Sequence, residues 1–196
     1  MAATESTESR STKTAAGGGP AAEYGPFPVV DPEHSSAYRF EHRGDDLFVA
    51  TELGAGAVLP KHKHPVQREI WWVESGEVEI FFNGTWTRAT PASGRFDVLP
   101  GTVHGLRNKG SEPAYLGCDV MPAMHLEDFL TEASWAAREG LIKRGGIPGS
   151  LAGLGWAARF LGRHSGETVM SFPPPIAIKA MAIFRGIGDV EYPGRG

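Results

Sequence analysis

Three histidines and one glutamate are the residues whose types and spacing point to chemistry in this chain. His62 and His64 stand two apart on an extended segment, so both imidazoles face the same side. Pro65 interrupts the ladder after them, and Glu69 opens an aromatic run in which Glu69, Trp71 and Val73 share a face. His104 follows the turn Pro100-Gly101 and begins another strand. Three neutral imidazoles and one carboxylate converging inside a barrel form a site for one divalent first-row transition metal. Four protein ligands on an octahedral ion leave two positions for substrate, water or dioxygen.

Positioning those side chains requires many short strands. Runs rich in β-branched and aromatic residues recur between turn signals, and the pattern predicts strands near 37–41, 47–53, 56–59, 69–75, 77–82, 85–89, 95–99, 104–108 and 114–120. Asn83-Gly84, set between Phe82 and Trp86, is a hairpin signal, because both residues tolerate the positive φ of a type I′ turn. So many short strands imply a closed or double-sheet β architecture. After Pro122 the period changes: Leu126, Phe129, Leu130, Ala133 and Ala137 fall at helical spacing up to Gly140. Further helices are expected over 151–161 and 174–185. The fold class is mainly β, a single barrel with a C-terminal α-helical extension. The domain reading is a disordered N-terminal tail over 1–28, a barrel over 29–122 and a helical extension over 123–196, packed on the barrel or on a dimer partner.

The same residues resemble the cupin superfamily, specifically the small single-domain cupins with a jelly-roll β-barrel. The first cupin motif reads Gly56, five residues, His62, one residue, His64, four residues, Glu69, six residues, Gly76. The second reads Gly94, five residues, Pro100, Gly101, two residues, His104, three residues, Asn108, and lacks the usual residue between proline and glycine. The spacing from Gly101 to His104 is unchanged by that shortening. The resemblance covers roughly residues 40–121. It implies tight turns or positive φ at Gly56, Gly76, Gly94 and Gly101, and a structural hydrogen-bonding role for Asn108.

Two function classes follow. With this ligand set and an aromatic-rich barrel the chain resembles quercetin-dioxygenase-like cupins, which implies a metal-dependent oxidoreductase of dioxygenase type. Its substrate would be small, aromatic or enolic, and it would bind to one ion of Fe, Mn, Ni, Cu or Zn. Glu69, if it detached from the metal, would serve as general base, and Trp71 on the same face would line the substrate pocket. Isomerisation, decarboxylation or cyclisation without oxygen is a variant of this class. The other class is a non-enzymatic cupin that binds or senses a small molecule.

Composition removes other classes. With 26 Gly and 15 Pro in 196 residues, the chain is too broken for a helical bundle. The single cysteine, Cys118, closes no intrachain disulfide and reads as a small buried hydrophobe. A net charge of -4 argues against a nucleic-acid binder, and no apolar run reaches membrane-spanning length, so a cytoplasmic location with no membrane partner is expected, while the cupin resemblance implies a homodimer. Charge is divided along the chain: residues 29–139 balance to -7 and residues 140–196 to +4. His34, His42, His125 and His164 fall outside the motifs. The C-terminal apolar residues, among them Trp156 and Phe160, exceed what a solvent-exposed helix tolerates, so they are expected to cover a barrel mouth or an interface.

Overall fold

Alternation along the strands sets the architecture. In the computed structural model, which describes residues 25–172, 175–188 and 190–194, the strand Arg68–Ser75 buries Glu69, Trp71 and Val73 on one face. Residues 1–24 of the expected tail lie outside the described residues.

Two antiparallel sheets enclose the core. The first joins β1 (Val29–Asp31), β2 (Ser36–Arg43), β3 (Asp46–Leu53), β10 (Ala114–Met121), β5 (Arg68–Ser75) and β8 (Phe96–Val98), in that spatial order. The second joins β13 (Val169–Met170), β4 (Val58–Lys63), β9 (His104–Arg107), β6 (Val78–Phe82) and β7 (Thr85–Ala89). A small hairpin of β11 (Ile142–Lys143) and β12 (Ile147–Pro148) stands apart. Leu47, Val49, Leu53 and Leu116 from the first sheet meet Val78, Ile80 and Leu106 from the second in one buried cluster. Each such side chain stabilises the fold by about 1.5–3 kcal/mol when fully buried.

Register explains which residues share the inner face. In the first sheet, Glu69 lies opposite Val120, which lies opposite Leu47; Trp71, Cys118 and Val49 form the next row, and Val73, Leu116 and Thr51 the one after. Asn83 and Gly84 both have positive φ at the β6–β7 turn, as their types predict. Gly76 also has positive φ, and a Cβ there would sit 2.9 Å from the Cα of Ala114, so this turn admits only glycine. Asn108 donates to the carbonyls of Leu53 and Glu112 and accepts from Gly110, bridging strand ends.

Strand β4 departs from expectation. It runs through Lys63 rather than ending near residue 59, and its pairing with β9 shifts register between Leu59 and His62. Such a bulge accommodates Pro60, which has no N–H to give to the ladder.

The segment after the barrel forms α1 (Leu126–Arg138), α2 (Leu151–His164) and α3 (Pro175–Met181), followed by a 3-10 turn at Ala182–Phe184. The first helix carries Glu127 and Asp128 in its first turn and Arg138 in its last, matching the helix dipole. The second is capped by Ser150, whose hydroxyl accepts from the N–H of Gly153. The third helix is shorter than predicted, and its expected start at residue 174 lies outside the described residues. Ala136, Trp156, Ala157 and Phe160 form a second buried cluster between α1 and α2. The helical segment is tied to the start of the barrel: Arg138 donates to Val30 O, and the backbone N–H of Arg144 donates to the Glu33 carboxylate in the β1–β2 turn. No helix among the described residues is long and apolar enough to cross a membrane.

Candidate metal centre

His62 sits at the end of β4, His64 two residues on, and His104 opens β9 directly opposite His62 in the ladder. The loop carrying His104 is tied to the His64 segment by one backbone hydrogen bond, Gly101 N–H to His64 O at 2.7 Å. Gly101 makes that turn with φ of 81°, a conformation that side chains disfavour. The ring centroids of the three histidines lie 4.3 to 5.4 Å apart, and one ligand atom of each falls within 4.8 Å of the other two.

Hydrogen bonding fixes which nitrogen each ring presents. Nδ1 of His62 faces Pro60 O at 2.7 Å, Nδ1 of His64 faces Glu167 O at 2.9 Å, and Nδ1 of His104 faces Thr102 O at 3.0 Å. A carbonyl oxygen only accepts, so every Nδ1 carries the proton and every Nε2 of a neutral ring presents a lone pair. Glu69 brings its carboxylate to the same place. Its Oε1 lies 3.2 Å from His64 Nε2 and its Oε2 lies 2.8 Å from His104 Nε2. These contacts are close but not directed as hydrogen bonds, and both Nε2 atoms are buried without a hydrogen-bond partner among the described residues. Lone pairs facing a buried carboxylate are the arrangement in which these three histidines could hold a cation. The donor set of imidazole nitrogens and one carboxylate suits Zn, Fe, Mn, Ni or Cu.

Electrostatics treat His62 and His64 oppositely. Burial opposes charge on His62 and, with its two histidine neighbours, holds its pKa well below the usual imidazole range, which keeps it neutral and able to ligate. Burial also opposes charge on His64, but the adjacent Glu69 carboxylate outweighs it and raises the pKa. Burial would push the Glu69 carboxyl up, yet the adjacent His104 and His64 rings hold it well below the usual carboxylate range. Glu69 is therefore ionised, and Trp71 donates its indole N–H to Oε2 at 2.8 Å.

A cavity of about 150 Å³ opens beside the cluster, with largely apolar walls. His62, His64, Glu69 and Trp71 line one part of it, and Phe129 and Phe160 of the helices another. Each residue singled out in the sequence is thus accounted for: the three histidines form the cluster, Glu69 touches two of the rings, and Trp71 is on the cavity wall. The other histidines are engaged elsewhere, His34 with Asp31 at 2.8 Å, His42 with Glu127 and His125 with Glu167, each at 2.7 Å. His164 lies buried against Phe129 and Phe160. Burial pushes the Cys118 thiol well up, so it stays protonated.

Sequence reasoning missed the Glu167 carbonyl, which comes from 103 residues away, and β13, which pairs Met170 with His62. A backbone carbonyl has no residue-type signature, and a two-residue strand leaves no periodicity.

Residues 49–121 match the family described as the cupin domain, Cupin_2. This segment is a cupin domain. Among solved structures, a conserved protein with a double-stranded beta-helix domain from Klebsiella pneumoniae is 28% identical, covering 52% of this chain and 86% of that one, with a TM-score of 0.43. KdgF from Halomonas sp. is 23% identical over 50% of this chain and 90% of that one, with a TM-score of 0.44. A sugar phosphate isomerase of the cupin superfamily from Silicibacter pomeroyi is 17% identical over 45% of this chain and 60% of that one, with a TM-score of 0.42. No curated protein matches the chain. The helices α1, α2 and α3 lie beyond the cupin match.

Proposed function

We propose that this cupin is a metal-dependent oxidoreductase of dioxygenase type, acting on a small, largely apolar substrate that carries an enol or phenol oxygen. The observation that carries the reading is the convergence of three Nε2 lone pairs and an ionised Glu69 at the wall of an apolar cavity. His62, His64 and His104 would hold the ion, with Glu69 as fourth ligand. The ion supplies Lewis acidity toward the substrate oxygen. The remaining roles belong to the chain. The carbonyls of Pro60, Glu167 and Thr102 orient the imidazoles, and losses at such outer contacts typically weaken metal affinity by about 10- to 100-fold. Trp71 holds Oε2 of Glu69 and leaves Oε1 as the oxygen able to accept the substrate proton. The apolar walls keep competing water away from that proton transfer.

An oxygen electrode with metal-loaded protein and a panel of small enolic diketones and phenols tests this. Oxygen uptake matching substrate loss is the expected result. Substrate turnover without oxygen uptake would move the reading to isomerase, decarboxylase or cyclase chemistry, and binding without turnover to a sensing module.

A further inference from the structure

The cavity walls come from two sources. The barrel contributes Val49, Trp71 and Val120, and the helices beyond the cupin match contribute Phe129, Trp156 and Phe160. A single water needs roughly 10–15 Å³ of such space, so about 150 Å³ admits a ligand of about ten to fifteen non-hydrogen atoms.

Away from the histidine cluster, one polar atom of this lining is stranded among the described residues. Thr51 lines the cavity, is fully buried, and its hydroxyl has no hydrogen-bond partner among the described residues. Its same-face neighbours on β3 are Leu47, Val49 and Leu53, all core residues. Valine would fill the same volume without a hydroxyl, and buried polar groups are rarely left unmatched. The nearby polar groups are already engaged: Tyr38 OH meets Ser36 Oγ at 2.9 Å, and His34 meets Asp31 and the N–H of Gly145. Thr51 lies two rows along the sheet and two strands across from Glu69, which places them roughly 16 Å apart by ordinary strand spacings.

We infer that the cavity binds an elongated, mostly apolar molecule of about ten to fifteen non-hydrogen atoms, with an oxygen head group at the histidine cluster and a hydrogen-bonding group at its far end that meets Thr51. The head-group half rests on the metal-dependent reading; the body and the far end rest on the cavity and Thr51 alone.

Decanoate and 10-hydroxydecanoate, which differ only in the terminal hydroxyl, serve as probes of the full chain. Binding is read by tryptophan fluorescence and calorimetry with and without bound metal. The hydroxylated probe binds wild type about threefold to tenfold more tightly, the worth of one net hydrogen bond. In Thr51→Val that preference disappears while decanoate affinity holds. Ala157→Phe, which fills the cavity from α2, weakens both probes at least about tenfold with metal content unchanged. Equal affinities in wild type, a preference that survives Thr51→Val, or no binding of either probe to metal-loaded protein would overturn the inference. A preference present in protein that takes up no metal would leave the cavity inference standing and sink the metal reading instead.

Discussion

The barrel holds His62 and His104 through carbonyls two residues away, whereas His64 is held by a carbonyl 103 residues further along, delivered by the helical segment. The ligands thus belong to a local motif, and the finishing of the site belongs to distant chain. The cavity repeats the pattern, with the cluster in the barrel wall and Phe129, Trp156 and Phe160 in the helical wall. In this chain the barrel supplies the histidine cluster while the helices shape what can reach it. This fits the general separation of fold from function, in which activity resides in the site and its surroundings.

The comparison can be broken most sharply at a ligand. His104→Ala should lower divalent-metal affinity at least about 100-fold, measured by chelator competition, while circular dichroism stays that of wild type. Unchanged affinity would mean that the barrel motif does not hold the ion.

Next come changes that load one region only. Gly76→Ala forces a Cβ against Ala114 at positive φ in a barrel turn, so denaturant unfolding should show about 1–3 kcal/mol of lost stability. Arg163→Met tests the other region. Arg163 pairs with Glu132, a buried carboxylate of α1 that also accepts from the Trp156 indole at 3.2 Å. The guanidinium is about a third exposed (36%), so solvent screening reduces the loss to about 1–2 kcal/mol. Metal affinity should stay within about threefold of wild type, because no ligand or ligand-orienting carbonyl moves; a larger loss would tie the helices to the ion more tightly than the contacts show.

The smallest effect is expected at His125→Ala. This exposed ring pairs with Glu167 at the head of the segment that carries the His64 acceptor. Its removal should change stability by under about 1 kcal/mol, read by thermal unfolding, because exposed pairs are screened by water and salt.

The two regions also differ in how much the residues disclosed beforehand. His62 and His64 were legible because they stand two apart, His104 because it follows the Pro100-Gly101 turn at the head of a strand, and Glu69 because alternation placed it with Trp71 and Val73. Strand β4 runs past its expected end near residue 59 because a bulge receives Pro60, and a bulge leaves no mark in the residue pattern. Helices α1 and α2 showed in their apolar period. That their faces would wall the cavity did not, since packing partners far apart in sequence leave no local pattern. Thr51 was invisible for a related reason: threonine is an ordinary strand residue, and only the closed core reveals a hydroxyl without a partner.

The central claim is that the three imidazoles hold one divalent ion. Elemental analysis of wild-type protein, purified from metal-replete medium and dialysed, tests it most directly, with His62→Ala carried alongside. The account predicts close to one transition-metal ion per chain in wild type and a loss of most of it in the variant. Wild type with well under one ion per chain, or a variant that keeps the full complement, would contradict it.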